Sequence, residues 1–218
     1  MTSQKPWPRE IKGMKNKDKI ILDLCGGTGA WSAPYREYPD IYDVRIITLP
    51  ETDVRTYCPP ENVYGILAAP PCTEFAVSGA RWWKNKNPQL LDEALDIFDA
   101  CMDIIEKYDN LQFWALENPI GRLKKLRPQL GEPKLVFNPC DYGDAYTKKT
   151  LLWGKFNEPK KNPVEPEFIT YKGGKRFAPN YCRKYTKIVA APKKGTERQE
   201  IRSITPAGFA KAFYKVNQ

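Results

Sequence analysis

Lys19-Ile20-Ile21-Leu22-Asp23-Leu24-Cys25-Gly26-Gly27-Thr28-Gly29-Ala30-Trp31-Ser32 is the stretch that decides the fold class. Its first six residues are apolar apart from the leading lysine and one aspartate, which predicts a buried strand. The strand runs into three glycines and then into a helix start, the opening of a βα unit. Glycines allow a tight turn and a close backbone approach to a ligand, and the first turn of a helix offers unpaired N–H groups. The spacing does not fit the dinucleotide pattern GxGxxG. No Gly-Lys-Ser/Thr follows, so it is not a phosphate loop either. The turn is therefore a cradle for a nucleoside-type cofactor or a purely structural corner.

Working outward, Asp43–Leu49 reads as a second strand, left through Pro50-Glu51-Thr52-Asp53-Val54. Acids there can hold a ribose or adenine, or simply form turns. Val63–Leu67 is a third apolar run, followed by Ala68-Ala69-Pro70-Pro71-Cys72-Thr73-Glu74-Phe75. Two prolines end the strand and stiffen the turn, so Cys72 is held at a strand's carboxyl end, where open α/β sheets bind ligands. A small buried loop cysteine is the alternative. Residues 73–86 carry Ser78, Gly79, Arg81 and the adjacent Trp82 and Trp83. Aromatics beside cations suit base stacking and phosphate contact, or one ring packs inward and the other covers it.

Asn87-Pro88 predicts a helix start. Leu91, Leu95, Phe98, Met102 and Ile105 then fall on one face, which reads as a packing helix without chemistry. Leu111–Leu116 is a fourth strand and delivers Glu117-Asn118-Pro119 at the same edge as Cys72. Glu117 is there either a turn former or a site acid. Residues 120–138 read as a basic connection, 140–154 as a turn and a strand, and 206–214 as a short helix capped by Ser203 or Thr205. Residues 1–18 read as a flexible arm or a short lead-in helix.

The 218 residues suit one domain with a small appendage, and 41% hydrophobic content supplies a core. No apolar run is long enough to span a bilayer, and no secretory signal is visible, so a cytoplasmic protein is expected. Six cysteines lie scattered without a CxxC pair, which fits a reduced compartment. Histidine is absent, which removes histidine-based metal sites and every mechanism with a histidine base; no metal is expected. Residues 121–218 hold 22 Lys and Arg against 8 Asp and Glu, a net of +14; residues 1–120 hold 13 against 18, a net of −5. A basic half suggests a polyanion partner or a solvated basic surface. Tyr171, Phe177, Tyr181 and Tyr185 interleave with cations between 155 and 200, as in a nucleic-acid surface or a basic insertion.

Asp-Leu-Cys-Gly-Gly-Thr-Gly, Pro-Pro-Cys and Glu-Asn-Pro stand in one order over residues 20–154. Together they resemble the cytosine-5 DNA methyltransferase family, with its Phe-x-Gly-x-Gly, Pro-Cys and Glu-Asn-Val. Amino-directed DNA methyltransferases carry a Pro-Pro-Tyr/Phe motif without cysteine. The resemblance implies a Rossmann-like S-adenosylmethionine-dependent α/β fold, a mostly parallel sheet with helices on both faces. It implies a catalytic domain at 19–154, a short basic target-recognition region at 155–200 and a C-terminal helix at 201–218 that completes the cofactor pocket.

It also implies roles for residues. Cys72 is similar to the nucleophile and Glu117 to the acid that grips cytosine. Thr147 and Lys149 fall where the family's Gln-x-Arg-x-Arg has two arginines, so Lys149 is the expected site cation. Asp23, Cys25, Gly26, Gly27, Thr28, Gly29, Trp31, Thr48, Glu51, Asp53, Val54, Pro70, Arg202 and Ser203 are expected at S-adenosylmethionine. Pro71, Ser78, Arg81, Trp82, Asn118 and Thr147 are expected at the substrate. Cys25 replaces the family's phenylalanine, and the acid expected at the end of the second strand falls on Thr48 or is displaced to Glu51. The expected activity is methyl transfer to C5 of cytosine in DNA, by a compact, phage-like monomer of low sequence specificity. The same chemistry on RNA or a free nucleotide is an alternative, as is a non-catalytic nucleic-acid-binding relative. With Arg202 at the family's asparagine position, transfer of a carboxymethyl group from carboxy-S-adenosylmethionine is a further alternative.

Overall fold

The computed structural model describes residues 19–171, 174–177 and 203–218. Strands β1 (Lys19–Leu24), β2 (Tyr42–Ile47), β3 (Gly65–Ala68), β4 (Phe113–Pro119), β5 (Leu135–Phe137) and β6 (Thr150–Lys155) form one sheet in the order β2-β1-β3-β4-β6-β5. β1 pairs in parallel with both β2 and β3, and β3 in parallel with β4. β6 runs antiparallel to both β4 and β5. β7 (Phe168–Tyr171) and β8 (Gly174–Phe177) form a separate antiparallel pair. The architecture is a Rossmann-like α/β fold with a mostly parallel sheet. Among the described residues no helix is long and apolar enough to cross a membrane.

Alternation along the strands divides the core into two layers. Ile21, Leu67, Ala115 and Leu152 face α1 (Ala33–Arg36) and the C-terminal helix α4 (Ala207–Val216). Leu22, Ile66, Leu116 and Trp153 face α2 (Pro88–Glu106). The first layer is aromatic: Phe209 of α4 stacks on Phe137 at 4.1 Å between centroids, and Phe213 meets Trp31 at 5.6 Å. Tyr35 Oη donates to the Asn217 carbonyl at 2.7 Å, tying α1 to the chain end. Burying each such ring contributes about 1.5–3 kcal/mol.

Asn87 accepts from the Gln89 amide at 3.1 Å, the predicted cap of α2. Other boundaries differ from the sequence reading. β2 stops at Ile47, before Leu49. β4 continues past Leu116 because antiparallel β6 goes on pairing, Glu117 with Leu152 and Pro119 with Thr150. Glu117 thus stands within a strand and not in a turn beyond it. The connection at 120–138 contains α3 (Leu123–Leu126) and β5, elements too short for their periodicity to register in sequence. α4 is not capped by Ser203 or Thr205. Asp144 Oδ2 accepts from the Gly208 amide at 2.9 Å, a tertiary cap from another part of the chain. A Cβ at Gly208 would lie 2.0 Å from the Tyr142 carbonyl, so this close approach requires glycine.

Candidate active site

Strand register builds the site. Leu24 pairs with Ala68, and Ala68 with Leu116. The next residues, Cys25, Ala69 and Glu117, therefore emerge side by side at the carboxyl edge. β1 is flanked by β2 on one side and β3 on the other, so successive crossovers leave in opposite directions beside it. That crevice is the topological switch point, the usual ligand position in such sheets.

The glycine turn is held from both sides. The Cys25 amide donates to the Ile47 carbonyl at 2.7 Å, the Ala69 amide to the Leu24 carbonyl at 2.9 Å, and the Gly29 amide to the Gly26 carbonyl at 2.8 Å. Cys25 has φ 56°, a left-handed conformation uncommon for cysteine. A Cβ at Gly26 would sit 2.5 Å from Asp23 Cγ, so glycine here lets the turn lie directly on that carboxyl. Asp23 is fully buried. Ser32 Oγ donates to its Oδ2 at 2.5 Å, while Oδ1 has no hydrogen-bond partner among the described residues. Burial pushes its pKa up to about 6, against the lowering effect of the Ser32 bond. Trp31 Nε1 is likewise buried and unpartnered among the described residues.

Two cavities open at this edge. A narrow one of about 70 Å³ is lined by Asp23, Trp31, the turn at Cys25–Thr28, Pro70, Pro71, Cys72, Glu117, Lys148 and Ser203–Thr205. A wider one of about 570 Å³ extends past Thr48, Leu49, Thr52, Asp53, Val54 and Ile97 on one side and Ser78, Gly79 and Trp82 on the other. Both are bounded by Cys25, Ala69, Pro71, Cys72, Lys148 and Ser203. Cys72 thus stands where the two meet. Its position is set by hydrogen bonds around it: Asn118 Nδ2 donates to the Pro70 carbonyl at 3.2 Å, and the amides of Phe75 and Ala76 donate to the Cys72 carbonyl at 2.9 and 2.8 Å.

The cation at Glu117 is Lys148, whose Nζ lies 3.5 Å from Oε1. This corrects the expectation for Lys149, which is exposed and bounds neither cavity. Thr150 is buried at the start of β6, and alternation places Lys148 on its side and Lys149 on the other.

Thr48, Asp53 and Val54 line the wide cavity as expected, but Glu51 is exposed and borders neither. The Asp53 carboxylate is engaged by Arg55, whose Nη2 donates to Oδ2 at 2.5 Å; that bond draws the Asp53 pKa down to about 2. Gly29 shapes the turn with φ 68° and borders neither cavity. Asn118 is buried behind the site and holds the Pro-Pro turn, so its amide positions Cys72 from within the core. Arg81 and Thr147 border neither cavity; the Arg81 guanidinium lies 5.0 Å over the Trp82 ring. Trp82 is 53% exposed at the rim, while Trp83 is half-buried with the Arg122 guanidinium 4.3 Å from its ring centre. Arg202 lies outside the described residues, as do the arm at 1–18 and Tyr181 and Tyr185.

No protein-family model matches the chain, and no curated protein matches it. Among solved structures, a methyltransferase of Entamoeba histolytica superposes with a TM-score of 0.44 at 12% identity, over 70% of this chain. The match spans 58% of the length of that protein.

Several site residues were not singled out in the sequence. Lys148 was hidden beside another lysine, and strand parity was needed to choose between them. Lys86 borders the wide cavity and donates to buried Glu74 at 2.6 Å. Ile97 lies on the helix read as packing alone, yet faces the wide cavity. Leu49 and Thr52 join it because the chain turns back after β2, the Thr52 amide donating to the Thr48 carbonyl at 2.9 Å.

Proposed function

We propose that this protein transfers a methyl group from S-adenosylmethionine to C5 of cytosine in DNA. The observation that carries the reading is that Cys72, Glu117 and Lys148 border one cavity together with the glycine turn.

The donor set fits S-adenosylmethionine. Unpartnered Asp23 Oδ1, buried under the turn, suits an ammonium group. Ile47, Val54 and Ile97 offer apolar walls for an adenine, and Thr48 and Thr52 offer hydroxyls for a ribose. When bound, S-adenosylmethionine supplies an electrophilic methyl group. Cytosine C5 is a poor nucleophile and must be activated by the protein. The Cys72 thiolate adds to C6, forming an S–C bond and making C5 nucleophilic. Glu117 holds N3 and the 4-amino group, and the Lys148 cation offsets negative charge that develops on the ring. After C5 has been alkylated its proton leaves to solvent, there being no histidine, and Cys72 is expelled. A base within a duplex must first be flipped out, at a few kcal/mol. Trp82 at the rim offers a face for a neighbouring base to stack on. The carboxymethyl alternative rests on Arg202 and receives no support from the described residues.

The test is incubation with methyl-labelled S-adenosylmethionine and, separately, duplex DNA, RNA or deoxycytidine monophosphate. Label in DNA as 5-methylcytosine, abolished by Cys72→Ala, is the expected result. Label in RNA or the nucleotide alone moves the substrate. A 5-carboxymethyl product with the carboxylated donor changes the group transferred. Nucleic-acid binding without transfer by the wild-type protein rejects catalysis.

A further inference from the structure

We propose that Cys25 and Cys101 form a site of reversible oxidation, closing an intramolecular disulfide beneath the glycine turn. The two residues are 76 apart in sequence, yet their Sγ atoms lie 3.8 Å apart, in contact. Cys25 borders both cavities and is reachable from solvent, whereas Cys101 is fully buried on α2. Contact with the Cys25 thiol, and then burial, push the Cys101 thiol well up. The first oxidation therefore falls on Cys25.

With a peroxide as oxidant, Cys25 Sγ attacks one peroxide oxygen, giving a sulfenic acid and one water. Cys101 Sγ then attacks Cys25 Sγ; the S–S bond forms, the S–O bond breaks, and hydroxide leaves with the Cys101 proton as a second water. Closure to a bond of about 2.05 Å needs an approach of roughly 1.8 Å. The movement draws Cys25 out of the cavity wall toward α2. Weakened donor binding follows only if the proposed function holds; the linkage itself does not depend on it.

The experiment uses full-length Cys72→Ala protein, so that Cys72 does not compete for oxidant. Reduced protein is treated with hydrogen peroxide, blocked with an alkylating agent, digested and mapped by mass spectrometry. A linked Cys25–Cys101 peptide that dithiothreitol removes, and that Cys101→Ala in the same background never forms, supports the site. Oxidation of Cys25 to the sulfinic acid without linkage, or linkage to another cysteine, in protein that keeps its circular dichroism spectrum, overturns it. Calorimetry with S-adenosylhomocysteine reads the consequence: reduced protein binds and linked protein binds more weakly. If linked protein binds as tightly, the coupling is overturned. If reduced protein does not bind at all, the donor reading fails while the peptide map still decides the disulfide.

Discussion

At the scale of single residues, Asp23 links folding to the site. A carboxyl with a folded pKa of about 6 and an unfolded value of 3.8 binds its proton more tightly in the folded state. Its contribution is fully present below the unfolded value and is lost as pH rises through about 6, the full change being about 3 kcal/mol. Urea denaturation of wild type and Asp23→Asn at about pH 4 and about pH 7 should reveal it. The stability of the wild type should fall by up to that amount more than the variant's between the two values. Equal changes would show that the carboxyl titrates normally. Under the proposed function, an ammonium group at Oδ1 stabilises the ionised form, so donor affinity rises over the same interval.

Elements decide which of two neighbouring side chains borders the cavities. The parity of β6, pinned by Thr150 opposite Pro119 and by the Ile120 amide on the Lys149 carbonyl at 3.2 Å, separates Lys148 from Lys149. Under the proposed function, Lys148→Ala should lower kcat/KM about 10- to 100-fold, a loss of about 1.4–2.7 kcal/mol of transition-state stabilisation. Lys149→Ala should leave it within about twofold. Steady-state assays on both variants check this, and equal losses would place the two lysines in a general electrostatic role. The same logic applies to β4, whose antiparallel partner extends the strand through Glu117 and so fixes the direction of that carboxylate.

The whole molecule is closed by its C-terminal helix. Phe209 is fully buried against Phe137, Trp31, Tyr142 and Phe213, joining residues from both ends of the chain. Trp31 also lines the narrow cavity, so the core and the site share a side chain. Phe209→Ala should cost about 3–5 kcal/mol, read by urea denaturation. A cost below about 1 kcal/mol would mean that α4 is an appendage and not part of the core.

β1, the glycine turn, Cys72 beyond a strand's carboxyl end and Glu117 at the same edge of the sheet were legible in the sequence. Apolar runs, glycine and proline act locally, on backbone freedom and on strand hydrogen bonding. The strand order, the pairing that carries β4 through Glu117, the choice of Lys148 over Lys149 and the contact of Cys25 with Cys101 were decided by tertiary structure. Each depends on which face of an element meets a partner distant in the chain. Register and parity arise from pairing and packing between segments, and neither is encoded in the composition of one segment alone.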